Sequence, residues 1–434
     1  MAKKAVRLIT LLLAIAMVAT LAVGCGGNSG DSSTPGSTNS NVNAEEYRGT
    51  EITYVTWKDP ALYEDGPVVE KFEKEYGIKV NVQLIDQKKY VSLISSSIAA
   101  GTQGDIFFET ETFPGSLTVM QPLDAAKLDL TDPIWDQAMI KASTIDGHPY
   151  LVDTVSNIWA ERDILVYNKA IFENNGITSP AEYYAQGKWT FENFRYVCQQ
   201  IKALGGGKQY VGAAVIGQSA LAAAGATLFD FKDNKMVVNA DKRFYDAMTL
   251  LSQMKTDGLI GLGYERFGDG LHGMAITNCY ALKKNGFYTN YNSVNLAATY
   301  LPVWNEGDEH TYTSLFRGWG LIDGAKNPVA AGLFLREYLD VTNYDVSKAF
   351  HNADVANFFF QATGDSTNKI FYYTAAMGRI YDNDHRIYED WSKESPAKMK
   401  SYLDGKKNVL NSMVTKANAD IENERKWIKE NFGE

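Results

Sequence analysis

The apolar positions of this chain follow two periods in turn, and the switches between them lay out its elements. Residues 51–57 are rich in β-branched and aromatic side chains and read as a strand. Within 61–76, Val68, Val69, Phe72 and Tyr76 recur at helical spacing with charge on the other side, and Gly77 supplies the stop. Ile78, Val80, Val82 and Leu84 alternate as a second strand. Tyr90, Leu93, Ile94 and Ile98 mark the next helix, which ends at Gly101, and Asp105 to Glu109 form a third strand. Strand, helix, strand, helix, strand with short joins implies parallel strands and a doubly wound α/β layer.

The middle of the chain changes rhythm. Ile164 to Asn168 is strand-like, and Thr190 reads as the cap of a helix through Phe194, Val197 and Ile201, closed by Gly205-Gly206-Gly207. Residues 211–229 are small and apolar and predict a strand followed by a buried helix. Phe244, Met248, Leu251 and Met254 predict an amphipathic helix ending at Gly258. Met274 to Leu282 and Leu296 to Val303 read as strands, and Ala325 to Tyr338 as a helix. From Asp345 onward the pattern is one of helices and loops. There is no internal repeat and no compositional break that marks a domain boundary.

The N-terminus stands apart. Lys3, Lys4 and Arg7 precede Leu8 to Val23, an apolar run interrupted only by Thr10 and Thr20. This is a secretory signal over residues 1–24 rather than a spanning helix. It ends at Leu21-Ala22-Val23-Gly24-Cys25, which resembles the lipobox of bacterial lipoproteins, although Ala22 stands where Leu is usual. The resemblance implies that Cys25 is diacylated and becomes the first mature residue. The alternative is an ordinary cleaved signal with an incidental Cys. Residues 25–48 are rich in Gly, Ser, Asn and Thr and form a flexible tether, with too few apolar side chains to order themselves. Two acyl chains would anchor such a tether firmly.

Composition narrows the partners. The formal charge is -10, and loss of the signal cations Lys3, Lys4 and Arg7 takes it to about -13. That argues against nucleic acid or anionic lipid as partner. Only Cys198 and Cys279 remain after Cys25, so there is no disulfide framework, and neither has the spacing of a metal ligand. Aromatic residues make up 12% of the chain, with Tyr 25 and Trp 8. A flat aromatic face is what a sugar ring needs.

Several segments in order carry a family resemblance. They are Trp57-Lys58-Asp59, the run from Glu70 to Val80, Gly104-Asp105-Ile106-Phe107, Leu165 to Lys169, Trp189 to Phe194, Gly273 to Asn278, and Gly318-Trp319-Gly320-Leu321-Ile322. Together they are similar to family 1 extracellular solute-binding proteins, the group that includes maltose-binding proteins. The resemblance implies a type II-like periplasmic-binding-protein fold, with two discontinuous α/β lobes and a ligand cleft between them. It sets lobe one at 49–163 and 304–350, and lobe two at 164–303 and 351–434. It also implies closure by hinge bending around the ligand and delivery to the permease of an ABC importer. A monomer is expected, because both lobes must be presented to that permease.

Ligands of open α/β sheets sit beyond the carboxyl ends of strands. A sugar there needs aromatic platforms, with carboxylates, amides or Arg to match its hydroxyls. Trp57 and Asp59 follow the first strand, and Glu109 and Glu111 the third; Asp59 and Glu111 are the preferred hydroxyl acceptors. Trp159, Glu161 and Arg162 lie just before the Tyr167-Asn168-Lys169 segment, where the family often places a carboxylate. Arg162 has a structural alternative, pairing with Glu161. Tyr280 falls where the maltose-binding member has a stacking Trp, and Trp319 between two glycines is the preferred platform. Each of these aromatics has a plain alternative as core.

Catalytic signals are weak. HExxH, GxSxG, Walker and GxGxxG motifs are absent, and the five His residues (148, 272, 310, 351, 385) have no metal-ligand spacing. Glu109 and Glu111 share a strand face and leave a glycosidase geometry open. The expectation is a binding protein without cofactor or metal, held on the extracytoplasmic face of the cell membrane. A sensor role and a non-sugar ligand such as a peptide or polyamine remain as alternatives.

Overall fold

In a computed structural model the described residues are 42–434, apart from 58–59, 61–65, 87–88, 110–111, 155–161, 216, 233–234, 240, 263–269, 279–281, 283–294, 311, 345–351, 365–369, 374–400, 402–403, 406 and 434. Two sheets organise them. The first contains β1 (Glu51–Thr56), β2 (Lys79–Leu84), β3 (Ile106–Phe108), β4 (Met120–Gln121) and β15 (Trp319–Ile322), in the order β2-β1-β3-β15-β4. β1 runs parallel to β2 and β3, as the intervening helices α1 (Gly66–Tyr76) and α2 (Tyr90–Ala99) require. α1 buries Val68, Phe72 and Tyr76, four residues apart, and stops at Gly77 with φ 63°.

The second sheet contains β7 (Arg162–Asn168), β8 (Val211–Val215), β11 (Ile260–Leu262), β12 (His272–Asn278), β13 (Leu296–Thr299), β14 (Tyr312–Leu315) and β16 (Ile370–Tyr373). Its order is β11-β8-β12-β7-β14-β16, with β13 paired to β7. Two hairpins stand outside the sheets, β5 (Thr144–Ile145) with β6 (His148–Pro149) and β9 (Phe229–Lys232) with β10 (Lys235–Val238).

Helices α3 (Gln137–Ala142), α4 (Lys169–Asn175), α5 (Pro180–Ala185), α6 (Phe191–Lys202), α7 (Gly217–Ala223) and α8 (Lys242–Thr256) follow, then α9 (Pro328–Tyr338), α10 (Ala353–Gly364) and α11 (Lys407–Phe432). Helices α6 and α8 open on side-chain caps, of which the Thr190 cap was anticipated from sequence. The Thr190 side chain accepts from the Asn193 N–H at the start of α6. Asp241 accepts from the Phe244 N–H at the start of α8.

Each sheet is covered on both faces, and the period-2 pattern sorts its residues between them. In the first, Ile52, Tyr54 and Ile106 enter one core, with Phe72 and Phe334, while Val55 and Phe107 enter the other, with Tyr90 and Leu117. In the second, Leu165, Tyr167, Ala213, Val215, Met274 and Ile276 face one core, and Ile164, Val166, Ala214 and Ala275 the other. All seven residues of β7 are buried. Each such aliphatic side chain contributes about 1.5–3 kcal/mol. α6 lies so close to the second sheet that a Cβ on Gly212 would stand 2.5 Å from the Cys198 Cα.

Three features of the sheets and helices were not visible in the sequence. β14 pairs with β7 and β16 in the second sheet, and the chain crosses to the first sheet over 316–318, before β15. β16 is a strand within the C-terminal third, where only helices and loops were expected. α11 belongs to both lobes. Its Leu410, Met413 and Ala417 pack in the second-lobe core, while Ile421 and Ile428 pack in the first.

Candidate functional site

The carboxyl ends of the parallel strands in both sheets point at the place where the chain crosses between them. From the first sheet β3 runs into Glu109, whose N–H donates to the Gly318 carbonyl at the 316–318 crossing, at 2.8 Å. From the second, β12 ends opposite Asp163 at the start of β7, and β14 pairs there too. Sheet ends that converge on a crossing are the usual seat of a ligand in open α/β folds.

Trp57 caps β1 on this side. Its ring is half-buried and packs with the core face containing Val55, Tyr90 and Phe107. The indole Nε1 is shielded from solvent and has no hydrogen-bond partner among the described residues. A buried donor left unpaired costs about 1–3 kcal/mol. An incoming acceptor would recover that energy.

Glu109 is fully buried. Its Oε1 accepts from the Thr112 N–H, from the Thr112 hydroxyl at 2.6 Å and from the Phe113 N–H at 2.9 Å. Burial pushes its carboxyl up to about 7, against the opposing pull of these donors and of Arg317. One carboxylate oxygen thus pins the turn that follows β3, and Phe113 in that turn meets Phe316 of the crossing at a ring separation of 5.1 Å.

Arg162 opens β7 and is fully buried. Its Nη2 lies 3.3 Å from Asp153 Oδ2 and 3.4 Å from Asp136 Oδ2, and it donates to the Thr154 carbonyl at 2.7 Å. Asp136 also caps α3 by accepting from the Ala138 and Met139 N–H groups. Those partners belong to the first lobe, so Arg162 is a strut between lobes, and its charge is spent on two aspartates. Sequence reading offered Glu161 as its structural partner and missed both of these carboxylates. Nothing in the sequence spacing linked Asp136 or Asp153 to Arg162.

Trp319 is 2% exposed. Its ring packs on Phe108 at 4.4 Å, and its Nε1 donates to the Tyr54 hydroxyl at 3.2 Å. In this arrangement it is a core residue with no free face. Its flanking glycines serve strand packing: a Cβ on Gly318 would meet the Val152 carbonyl at 2.9 Å, and one on Gly320 the Tyr150 carbonyl at 3.0 Å. Asp59, Glu111, Trp159, Glu161 and Tyr280 lie outside the described residues, as do Cys25 and Cys279. Of the nine proposed contacts, the described geometry brings Trp57, Glu109 and Arg162 to the crossing region and sets Trp319 in the core.

Among the described residues, no three His, Cys, Asp or Glu side chains group as metal ligands, and no helix is long and apolar enough to cross a membrane. The sequence profile of the bacterial extracellular solute-binding proteins matches residues 56–343. The chain belongs to that family. Comparison with curated protein sequences returns no significant match.

Solved structures of similar fold span nearly the whole chain. An ABC substrate-binding protein from Listeria monocytogenes in complex with cycloalternan is 18% identical, with TM-score 0.52, covering 88% of this chain and 99% of its own. A cyclic alpha-maltosyl-1,6-maltose binding protein from Arthrobacter globiformis is 16% identical, with TM-score 0.61, covering 86% and 99%. The galacto-N-biose-/lacto-N-biose I-binding protein of an ABC transporter from Bifidobacterium longum, in complex with lacto-N-biose, is 14% identical, with TM-score 0.58, covering 88% and 98%. At these identities the likeness is one of fold. Like them, this member of the solute-binding family has two α/β lobes.

Proposed function

We propose that this protein is the extracytoplasmic, lipid-anchored binding subunit of an ABC importer, and that it captures a mono- or oligosaccharide between its lobes. Membership of the solute-binding family supports capture of a solute. The sugar is supported by the three similar proteins named for or bound to oligosaccharides. The observation in this chain that carries the reading is Trp57, a half-exposed indole at a strand end with an unpaired N–H. It offers a C–H platform and a hydroxyl partner in one side chain.

Asp59, Glu111, Trp159, Glu161 and Tyr280 are proposed as further contacts, the buried Glu109 as the group that holds the turn beside them, and Arg162 as the strut about which the lobes move. A ligand that touches both lobes only when they close shifts the population to the closed form. The closed monomer then presents both lobes to the permease. The anchor is the diacylated Cys25, and the tether to residue 48 leaves the lobes free above the membrane. No turnover is expected.

Thermal unfolding of the protein against mono-, di- and oligosaccharides, with polyamines and peptides as controls, tests the reading. Ligand at a hundred times its dissociation constant stabilises the fold by about 2.7 kcal/mol. Stabilisation by one sugar series, with no product formed, supports it. Stabilisation only by a polyamine or peptide keeps the family and overturns the sugar.

A further inference from the structure

A pocket lies in the seam between α6 and α8, on the helical layer of the second lobe. It is an open pocket of about 440 Å³, within the range of small-ligand sites. Trp304 forms one wall. Its position is set by backbone pairing, because Val303 donates to the Trp189 carbonyl at 3.0 Å and accepts from the Phe191 N–H at 2.9 Å. Phe191 lies beneath it, with ring centroids 6.0 Å apart.

The opposite wall is one stripe of α8, Asp246, Thr249, Leu250 and Gln253, at the spacing that puts side chains on a single helix face. α8 buries a different stripe, Phe244, Ala247, Met248, Leu251 and Met254, so the polar one is not required for packing. α6 adds Glu192 and Arg195, one turn apart.

The polar groups of this cavity are underused. Glu192, Thr249 and Gln253 make no side-chain hydrogen bond or ion pair among the described residues. Arg195 Nε is buried without a partner, and its Nη2 reaches Asp257 only at 3.7 Å. Asp246 is paired with Lys242. With Lys242 and Asp257 counted beside Glu192, Arg195 and Asp246, three carboxylates face two cations, a small net negative charge that disfavours a strongly charged ligand. An indole wall beside carboxylate, guanidinium, amide and hydroxyl groups of small net charge matches a neutral polyhydroxylated ring.

We infer that the α6–α8 cavity is an accessory carbohydrate site, in which a sugar ring rests against Trp304 and its hydroxyls pair with Glu192, Arg195 and Gln253. It extends the carbohydrate reading of the cleft and would let the anchored protein hold one end of a glycan while the lobes sample the other. Two shared features explain why one sugar series would serve both places, an aromatic wall and a donor lacking a partner.

The eight Trp residues make the two sites separable. The full-length protein, with indole nitrogens labelled and held in polyoxyethylene-ether micelles free of sugar detergent, is titrated with mono- and oligosaccharides. Trp57→Phe and Trp304→Phe variants assign the two signals. The inference predicts that the Trp304 signal moves with a dissociation constant on the order of 1 mM, and that the movement is lost in an E192Q/R195M variant whose Trp57 response is intact. A Trp304 signal still through every titration overturns the accessory site, while movement of Trp57 in the same spectra leaves the cleft reading standing. Movement of Trp304 with Trp57 still supports the accessory site and counts against the cleft. Movement that persists in E192Q/R195M overturns the assignment, because the sugar then acts from elsewhere.

Discussion

Arg162 and Asp153 face each other at 3.3 Å, both fully buried, one at the head of the second-lobe sheet and the other in the first lobe. With Asp136 as a further partner at 3.4 Å, they make a charged pivot at the point where the chain crosses between lobes. Buried charges of this kind hold only as a set. Removing the cation leaves two desolvated carboxylates. Arg162→Met is expected to cost about 3–5 kcal/mol, read as a fall in the urea midpoint. A midpoint unchanged within error would mean the network is not a strut.

The pH dependence of stability follows from Glu109. Burial raises its folded pKa to about 7, above its ordinary 4.5. The folded state therefore binds this proton more tightly than the unfolded state. Its contribution is fully present below pH 4.5 and is lost as pH rises through 7. The size is on the order of 3 kcal/mol. Glu424, buried and bonded to the Tyr150 hydroxyl, is raised to about 6 and acts with the same sign. Unfolding free energies measured between pH 4.5 and 8 should show a flatter curve in Glu109→Gln than in the native chain. Identical slopes would contradict the assignment.

Gly212 tests how tightly α6 sits on its sheet. An added methyl would overlap the backbone of Cys198, at 2.5 Å from its Cα, where no side-chain rotation can relieve it. Gly212→Ala is expected to destabilise by about 1–3 kcal/mol, while a chain carrying Gly207→Ala, in open space but at φ 80°, reports only backbone strain. Equal losses in the two would remove the case for a close approach.

The anchor is tested at Cys25. Replacing it with Ser should move the protein from the membrane fraction to the soluble fraction and abolish incorporation of labelled palmitate. Retention on the membrane would mean that something other than a lipid holds it.

The first lobe was largely readable from its periods. Phe72 and Tyr76 at helical spacing, and Ile78 and Val80 in alternation, sit in the core. Even so, alternation named a strand without naming its place in the sheet. Val82 and Leu84 are 36% and 53% exposed on β2, an edge strand with β1 as its one sheet neighbour. β14 escaped because Tyr312-Thr313-Ser314-Leu315 carries little apolar signal, and its place depends on pairing with β7, far away in the chain. The candidate site was legible as strand ends, hence Trp57 and Glu109. The role of Arg162 was not, since its partners come from a helix cap and a loop brought together only by the folded backbone. Trp319 between two glycines suggested room for a ligand, and the room is filled by the backbone of Tyr150 and Val152.

The proposed carbohydrate site lies between the lobes, against Trp57. Calorimetric titration of the native chain and of Trp57→Ala with a series of mono- and oligosaccharides addresses it most directly. Saturable binding of one series by the native chain is expected, with a loss of affinity of about tenfold or more in Trp57→Ala and cooperative unfolding of both proteins. Saturable heat from a peptide or polyamine with none from any sugar, or sugar binding untouched by the loss of Trp57, would contradict it.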